Sequence, residues 1–149
     1  MIISFFGQPG SGKTTHSNLL KDYFNDKGIL NFSIDGDNLR HLFNNTHYSK
    51  EGRYENIRTA NKIATYLNNT CNCVVLMSLV NPYSELREEL NKYNKEGDVQ
   101  QIYLHSTRLI RKEYCVDEFE IPSSNSIIIN TDSEIEITRD ILLKYFLEL

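Results

Sequence analysis

The chain has 149 residues and a formal net charge of −4 at neutral pH. That length suffices for one domain with a real core, and the acidic balance argues against non-specific binding to nucleic acid or to an anionic membrane surface. Its 3 cysteines read as reduced thiols rather than a disulfide frame; with no apolar run of membrane-spanning length, and no basic n-region or cleavage site in MIISFF, the expected compartment is the cytoplasm.

Met1–Phe6 is an apolar run of strand length, and Lys13–Asn25 follows as a helix with Leu19, Leu20, Tyr23 and Phe24 on one side. Ile29–Ile34 reads as a second strand, Asn38–Asn44 as a short helix, and Glu51–Asn68 as a longer one carrying Ile57, Ala60, Ile63, Ala64 and Leu67 at helical spacing. Val74–Met77 is a third strand; Cys71 and Cys73 just before it have no histidine at zinc-ligand spacing and read as core packing. Pro82–Tyr93 is a helix, Val99–Leu104 and Ser126–Asn130 are strands, and Ser133–Leu147 is the last helix. Five short strands alternating with helices imply an α/β fold, a five-stranded parallel sheet with helices on both faces, in a single domain over residues 1–149. Ligands in such sheets bind beyond the carboxyl ends of the strands.

Between the first strand and first helix stands Gly7-Gln8-Pro9-Gly10-Ser11-Gly12-Lys13-Thr14, a full match to the phosphate loop G-x-x-x-x-G-K-[ST] in its required context. The motif points to a nucleoside triphosphate without naming the reaction, with Gly7, Gly10, Ser11, Gly12, Lys13, Thr14 and Thr15 as candidate ATP contacts. Glycines let backbone N–H groups face a phosphate, and the helix N-terminus adds partial positive charge. Lys13 is placed for the β- and γ-phosphates and the Thr14 hydroxyl for Mg²⁺. A glycine-rich turn with a chance lysine is the competing explanation, and the strand–loop–helix context argues against it. A GTP switch is disfavoured, because both Asn-Lys stretches, at Asn91 and Asn94, lack the aspartate of N-K-x-D. The third strand runs into Ser78 rather than an aspartate, so the carboxylate on the Mg²⁺ side must come from elsewhere.

Asp35 and Asp37, one glycine apart at the end of the second strand, are the obvious source. Phosphoryl transfer needs a carboxylate to orient or deprotonate the acceptor hydroxyl and another group to arrange the metal. Asp37, directly before a helix, also fits an N-cap, and the two roles are compatible. Arg40 is placed in the first turn of that helix; Arg53 and Asn56, three apart, share one face of the next, beside its inward stripe. Contacts to an anionic substrate compete there with plain surface ion pairs.

At this point the sequence resembles a known family. "GQPGSGKTT", "DGDNLRHLFN", "YSKEGRYENIR", "VVLMSLVNPYSELRE" and "VDEFEIP", in that order, are similar to the adenylylsulfate kinases over about Ile2 to Pro122. Those enzymes transfer the ATP γ-phosphate to the 3′-hydroxyl of adenylylsulfate, and the resemblance implies their P-loop nucleotide kinase fold. The resemblance implies Asp35 and Asp37 near Mg²⁺ and the acceptor hydroxyl, with Lys13, Asp35 and Asp37 as catalytic residues. Asp37 is taken as the base and Asp35, with Thr14, as the metal side; the two aspartates are exchangeable at this stage. It further implies that Arg40, Arg53 and Asn56 hold the acceptor's phosphate and sugar, that Tyr48 and Tyr114 stand where phenylalanines stack on its base, with Lys112 nearby, and that the chain forms a homodimer.

Three departures stand out. Asn81 replaces a serine of the family described as a phosphorylation site; the lid after the fourth strand, "HSTRLIRKEYCVDEF", is short; and Thr46-His47-Tyr48 replaces a glycine-containing lead-in. Arg108, Arg111 and Lys112 are the cations left in that lid. The altered pocket keeps two alternatives open: a kinase of another activated nucleotide, such as cytidine diphosphoramidate in capsule modification, or a non-catalytic nucleotide-binding module.

Overall fold

A computed structural model describes residues 1–108, 112–123 and 125–147. Its five strands are β1 (Ile2–Phe6), β2 (Asn31–Asp35), β3 (Val74–Ser78), β4 (Val99–His105) and β5 (Ile127–Asn130), in the spatial order β2-β3-β1-β4-β5. Every pairing is parallel, as expected from helices standing between successive strands. β1 is buried at all five positions, and successive side chains serve opposite faces. Ile2 joins one core with Val75 and Met77; Ile3 and Phe5 join the other with Val74 and Leu76. Each fully buried side chain of this size contributes roughly 1.5–3 kcal/mol on leaving water.

Helices cover both faces. On one lie α2 (Gly36–Leu42), α3 (Lys50–Thr70) and α4 (Ser84–Tyr93), burying Leu39, Ile57, Ala60, Ala64, Leu86 and Leu90. On the other lie α1 (Lys13–Asp26) and α5 (Ile135–Leu143), with Leu20, Phe24 and Leu142. Several element boundaries differ from those expected. The helix expected from Pro82 starts at Ser84, where the Glu120 carboxylate takes the Ser84 N–H and hydroxyl. The last helix is shorter than Ser133–Leu147, ending at Leu143, although Phe146 beyond it is 1% exposed and packs in the core. The cysteines are free; Cys73 is core and Cys71 packs against it.

The chain leaves β1 toward β2 and β3 on one side and places β4 on the other. The carboxyl end of β1 is therefore the divergence point of the sheet, where a crevice opens.

Candidate active site

At the end of β1 the chain turns at once into the glycine-rich loop. Gly7 has φ +149°, and a Cβ on it would lie 2.2 Å from the Leu104 carbonyl oxygen, so no side chain fits. The loop is held from behind by the last third of the chain. The Thr131 hydroxyl donates to the Ser11 carbonyl at 3.0 Å. The buried His16 ring bridges the Gly12 carbonyl at 2.9 Å and the Thr138 hydroxyl at 2.8 Å. Facing a carbonyl, Nδ1 carries the proton of the neutral ring. Burial pulls the His16 pKa below 6.5, opposed by the Gly12 hydrogen bond and assisted by the charge of Arg108. Lys13 opens α1, and its ammonium donates to the Gln8 carbonyl at 2.8 Å, folded over the loop.

Asp35 is the last residue of β2, and it caps α2. Its Oδ1 accepts from the Asp37 and Asn38 N–H groups at 3.0 and 3.1 Å. The expected cap at Asp37 is thus corrected: the helix begins at Gly36, Asp37 falls in its first turn, and Arg40 lies in its last turn rather than its first. The strand delivers a carboxylate one residue before the turn, and that carboxylate satisfies the orphan amides first. The second oxygen of Asp35, Oδ2, accepts from the Thr14 hydroxyl at 3.3 Å. The phosphate loop and the acidic pair therefore touch. Asn56 ties α3 to the same turn, donating from Nδ2 to the Gly36 carbonyl at 3.2 Å.

Arg40 organises the next loop. Its Nη1 donates to the His47 carbonyl at 2.8 Å and the Asn45 side-chain oxygen at 3.1 Å. The Tyr48 ring lies over the guanidinium, 4.3 Å from centroid to Cζ. Asn45 in turn donates to the Gly52 carbonyl at 2.9 Å. A Cβ on Gly52 would stand 2.1 Å from the His47 carbonyl oxygen, so this glycine inside α3 lets the loop cross it closely. Burial lowers the Arg40 pKa and the neighbouring Arg53 charge adds to this, while Tyr48 and Asp37 oppose it; a guanidinium still stays protonated at neutral pH. The Arg53 guanidinium has no hydrogen-bond or ion-pair partner among the described residues.

These groups surround one cleft of about 1120 Å³. Gly10, Gly12, Lys13, Thr14 and Thr15 line it from the loop. Asp35, Asp37, Arg40, Tyr48, Arg53 and Asn56 line it from α2, α3 and their connections, and Tyr114 from the far wall. Three expected contacts are not on its wall: Gly7 is packed beneath Leu104, Ser11 is buried, and Lys112 is exposed in the short 3-10 turn Lys112–Tyr114. Of the lid cations, Arg108 donates to the Ser106 hydroxyl and the Thr131 carbonyl and lies 3.7 Å from Asp132; Arg111 lies outside the described residues.

Sequence reasoning missed several residues on the wall or supporting it from behind. Arg87 is 5% exposed, donates from Nη1 to the Asn81 carbonyl and from Nη2 to the Glu120 carbonyl, and sits over the Phe6 ring. It fixes Asn81, which lines the cleft at φ +39°. Its place between Leu86 and Leu90, at the edge of the buried stripe, is the one sequence signal for this. Gln8, Glu113, Cys115 and Val116 were also passed over.

Chemically, the Thr14 hydroxyl and the Asp35 carboxylate are hard oxygen donors side by side, a set suited to Mg²⁺ carried by a polyphosphate. Among the described residues no group of three or more His, Cys, Asp or Glu gathers. No helix among those residues is long and apolar enough to cross a membrane.

The family model described as adenylylsulphate kinase matches residues 1–117. The adenylyl-sulfate kinase of Prochlorococcus marinus is 38% identical over 104 residues, 69% of this chain and 51% of that protein. That of Staphylococcus carnosus is 33% identical over 104 residues, 69% of this chain and 52% of that protein. The chain spans about half the length of these curated relatives. Among solved structures, the Mycobacterium tuberculosis APS kinase CysC in complex with AMPPNP and APS has a TM-score of 0.85 at 23% identity, covering 98% of this chain and 96% of that one. That likeness is one of fold, and it extends over the part of the chain that buttresses the phosphate loop.

Proposed function

We infer that this chain, which belongs to the adenylylsulfate kinase family, is an ATP-dependent kinase that phosphorylates the ribose 3′-hydroxyl of a nucleotide-linked acceptor, adenylylsulfate foremost. The observation that supports this most is the contact between Thr14 and Asp35 at the floor of a cleft that also holds Asp37, Arg40 and Arg53. A nucleotide-binding module needs the loop; it does not need a second half-site of carboxylate and two cations facing it.

In this reading the loop amides, the N-terminus of α1 and Lys13 bind the triphosphate. Thr14 and Asp35 would hold Mg²⁺, which when bound would supply positive charge against the triphosphate. Arg40 and Arg53 hold the acceptor's anionic group, and Tyr48 and Tyr114 flank its base. Asp37 orients the acceptor hydroxyl and takes its proton while the hydroxyl oxygen forms a bond to the γ-phosphorus and the bond to the β-phosphate oxygen breaks, releasing ADP. Asp35 spends Oδ1 on the helix cap, which favours Asp37 over Asp35 as the base. Asn81 precludes a phosphoserine at that position, and direct in-line transfer requires none. The same reading takes residues 1–149 as one kinase domain, working in the cytoplasm as a homodimer.

A second acceptor is favoured by one observation: Arg40 already covers one face of the Tyr48 ring, leaving a base pocket of altered shape. The experiment is a kinase assay with Mg-ATP on adenylylsulfate and on cytidine diphosphoramidate, with the phosphorylated position read by phosphorus NMR. Transfer to the 3′-hydroxyl of adenylylsulfate is expected; tight Mg-ATP binding with transfer to neither acceptor would leave the non-catalytic module as the correct reading.

A further inference from the structure

Gln8 lies within the phosphate loop, yet its side chain leaves it. Its Nε2 donates to the Val116 carbonyl at 2.8 Å, and its Oε1 accepts from the Val116 N–H at 2.9 Å. One side-chain amide thus satisfies both backbone groups of a residue 108 positions away. Its own carbonyl receives the Lys13 ammonium. Val116 is 6% exposed and stands on the cleft wall with Tyr114 and Cys115. Further along, the segment is fastened independently. The Glu120 N–H donates to the Pro82 carbonyl at 2.9 Å, Arg87 holds the Glu120 carbonyl, and the Phe119 ring stacks on Tyr103. Those contacts secure residues 119–120; the pair on Gln8 joins the stretch before them to the phosphate loop itself.

We propose that Gln8 is a positioning residue that couples the wall at residues 112–116 to the phosphate loop, setting Tyr114 in register with the bound triphosphate. The proposal rests on the kinase reading above for its catalytic consequence, and on geometry alone for the coupling. A displacement of the loop carries Val116 with it, because two hydrogen bonds of opposite polarity resist both sliding and separation. Acceptor binding, which uses Tyr114, then depends on a residue that belongs to the nucleotide half of the cleft.

The test compares Gln8→Met, which keeps side-chain length and loses both hydrogen bonds, with Gln8→Glu, which keeps the acceptor for the Val116 N–H. Hydrogen exchange at the Val116 amide reads the clamp whatever the acceptor is. It should quicken by about tenfold or more in Gln8→Met and by less in Gln8→Glu. Mg-ATP alone should slow that exchange in the wild-type protein and not in Gln8→Met. In steady-state assays with adenylylsulfate, Gln8→Met should raise the acceptor KM by about tenfold while the ATP KM stays within about twofold. Unchanged Val116 exchange in Gln8→Met overturns the clamp. Faster exchange with an unchanged acceptor KM, or an equal rise in both KM values, overturns the coupling. A wild-type protein that phosphorylates no acceptor refutes the kinase reading instead, and the response of Val116 exchange to Mg-ATP then decides the coupling.

Discussion

Asp35 uses its two oxygens for two purposes, and two substitutions separate them. Oδ1 caps α2 through the Asp37 and Asn38 amides; Oδ2 faces the Thr14 hydroxyl. Asp35→Ala removes both. Loss of a cap costs about 0.5–2 kcal/mol, and ~1 kcal/mol moves the melting temperature of a chain of this size by roughly 2–4 °C. Asp35→Asn keeps a carbonyl oxygen for the cap, and Asn caps about as well as Asp, so its melting temperature should stay within about 1 °C of wild type. Its second position becomes an NH₂ group, which donates to Thr14 and cannot bind a cation. Transfer should then fall by about 10²–10³-fold, the range for losing one group that stabilises transition-state charge, with a higher Mg²⁺ concentration needed for half-maximal rate. Thermal melts without nucleotide and a coupled ADP-release assay with adenylylsulfate provide both numbers. Equal destabilisation of the two variants would refute the cap assignment. Wild-type turnover in Asp35→Asn would refute the metal-side role.

Other substitutions probe the rest of the cleft. Lys13→Ala should abolish transfer, and residual turnover near wild type would remove it from the reacting phosphates. Asp37→Asn should lower kcat by about 10²–10⁴-fold with little change in ATP affinity; a fully active variant would end the base assignment. Arg53→Ala should raise the acceptor KM without moving the melting temperature, whereas Arg40→Ala should change both, because Arg40 also holds Asn45 and His47. Gly52→Ala forces the His47 carbonyl aside and should cost about 1–3 kcal/mol, read by denaturant titration. His16 is pushed below its ordinary 6.5 by burial, so the folded state prefers the neutral ring. Its contribution to stability is full above 6.5 and is lost as pH falls from there toward the lowered folded value. Unfolding titrations of wild type and His16→Gln should diverge in slope in that window and run parallel above it.

The phosphate loop was legible because a full motif sat between a strand and a helix, and the sheet because its strands are short continuous apolar runs. The acidic pair does stand where β2 ends, on the cleft wall, but the cap was assigned to the wrong member: Asp-Gly-Asp before a helix offers two possible caps, and which carboxylate reaches the orphan amides depends on where β2 ends. Arg40 and Tyr48 were expected on the acceptor side and do line the cleft, but their contact with each other was not foreseen. Gln8, Arg87 and Gly52 were invisible for a common reason. Each acts on backbone groups distant in sequence or crossing over it, and backbone groups leave no trace in residue identity. Arg87 looks like any helix-surface cation until Phe6 and the Asn81 carbonyl are found beside it.

The sheet order has a consequence for local opening. β1, which launches the phosphate loop, is flanked by strands on both sides and buried throughout, whereas β2 is an edge strand with a single buried residue, Ile34. Asp35 and Asp37 thus hang from an edge of the sheet. Opening free energies fall where apolar contacts are few and backbone is exposed, so β2 and α2 should exchange amide protons well before β1 and β3. The two halves of the cleft then differ in rigidity as well as chemistry. On the kinase reading, the nucleotide would meet a floor flanked by strands on both sides, while the acceptor would be gripped from an exposed edge, so part of its binding energy would go into ordering that edge.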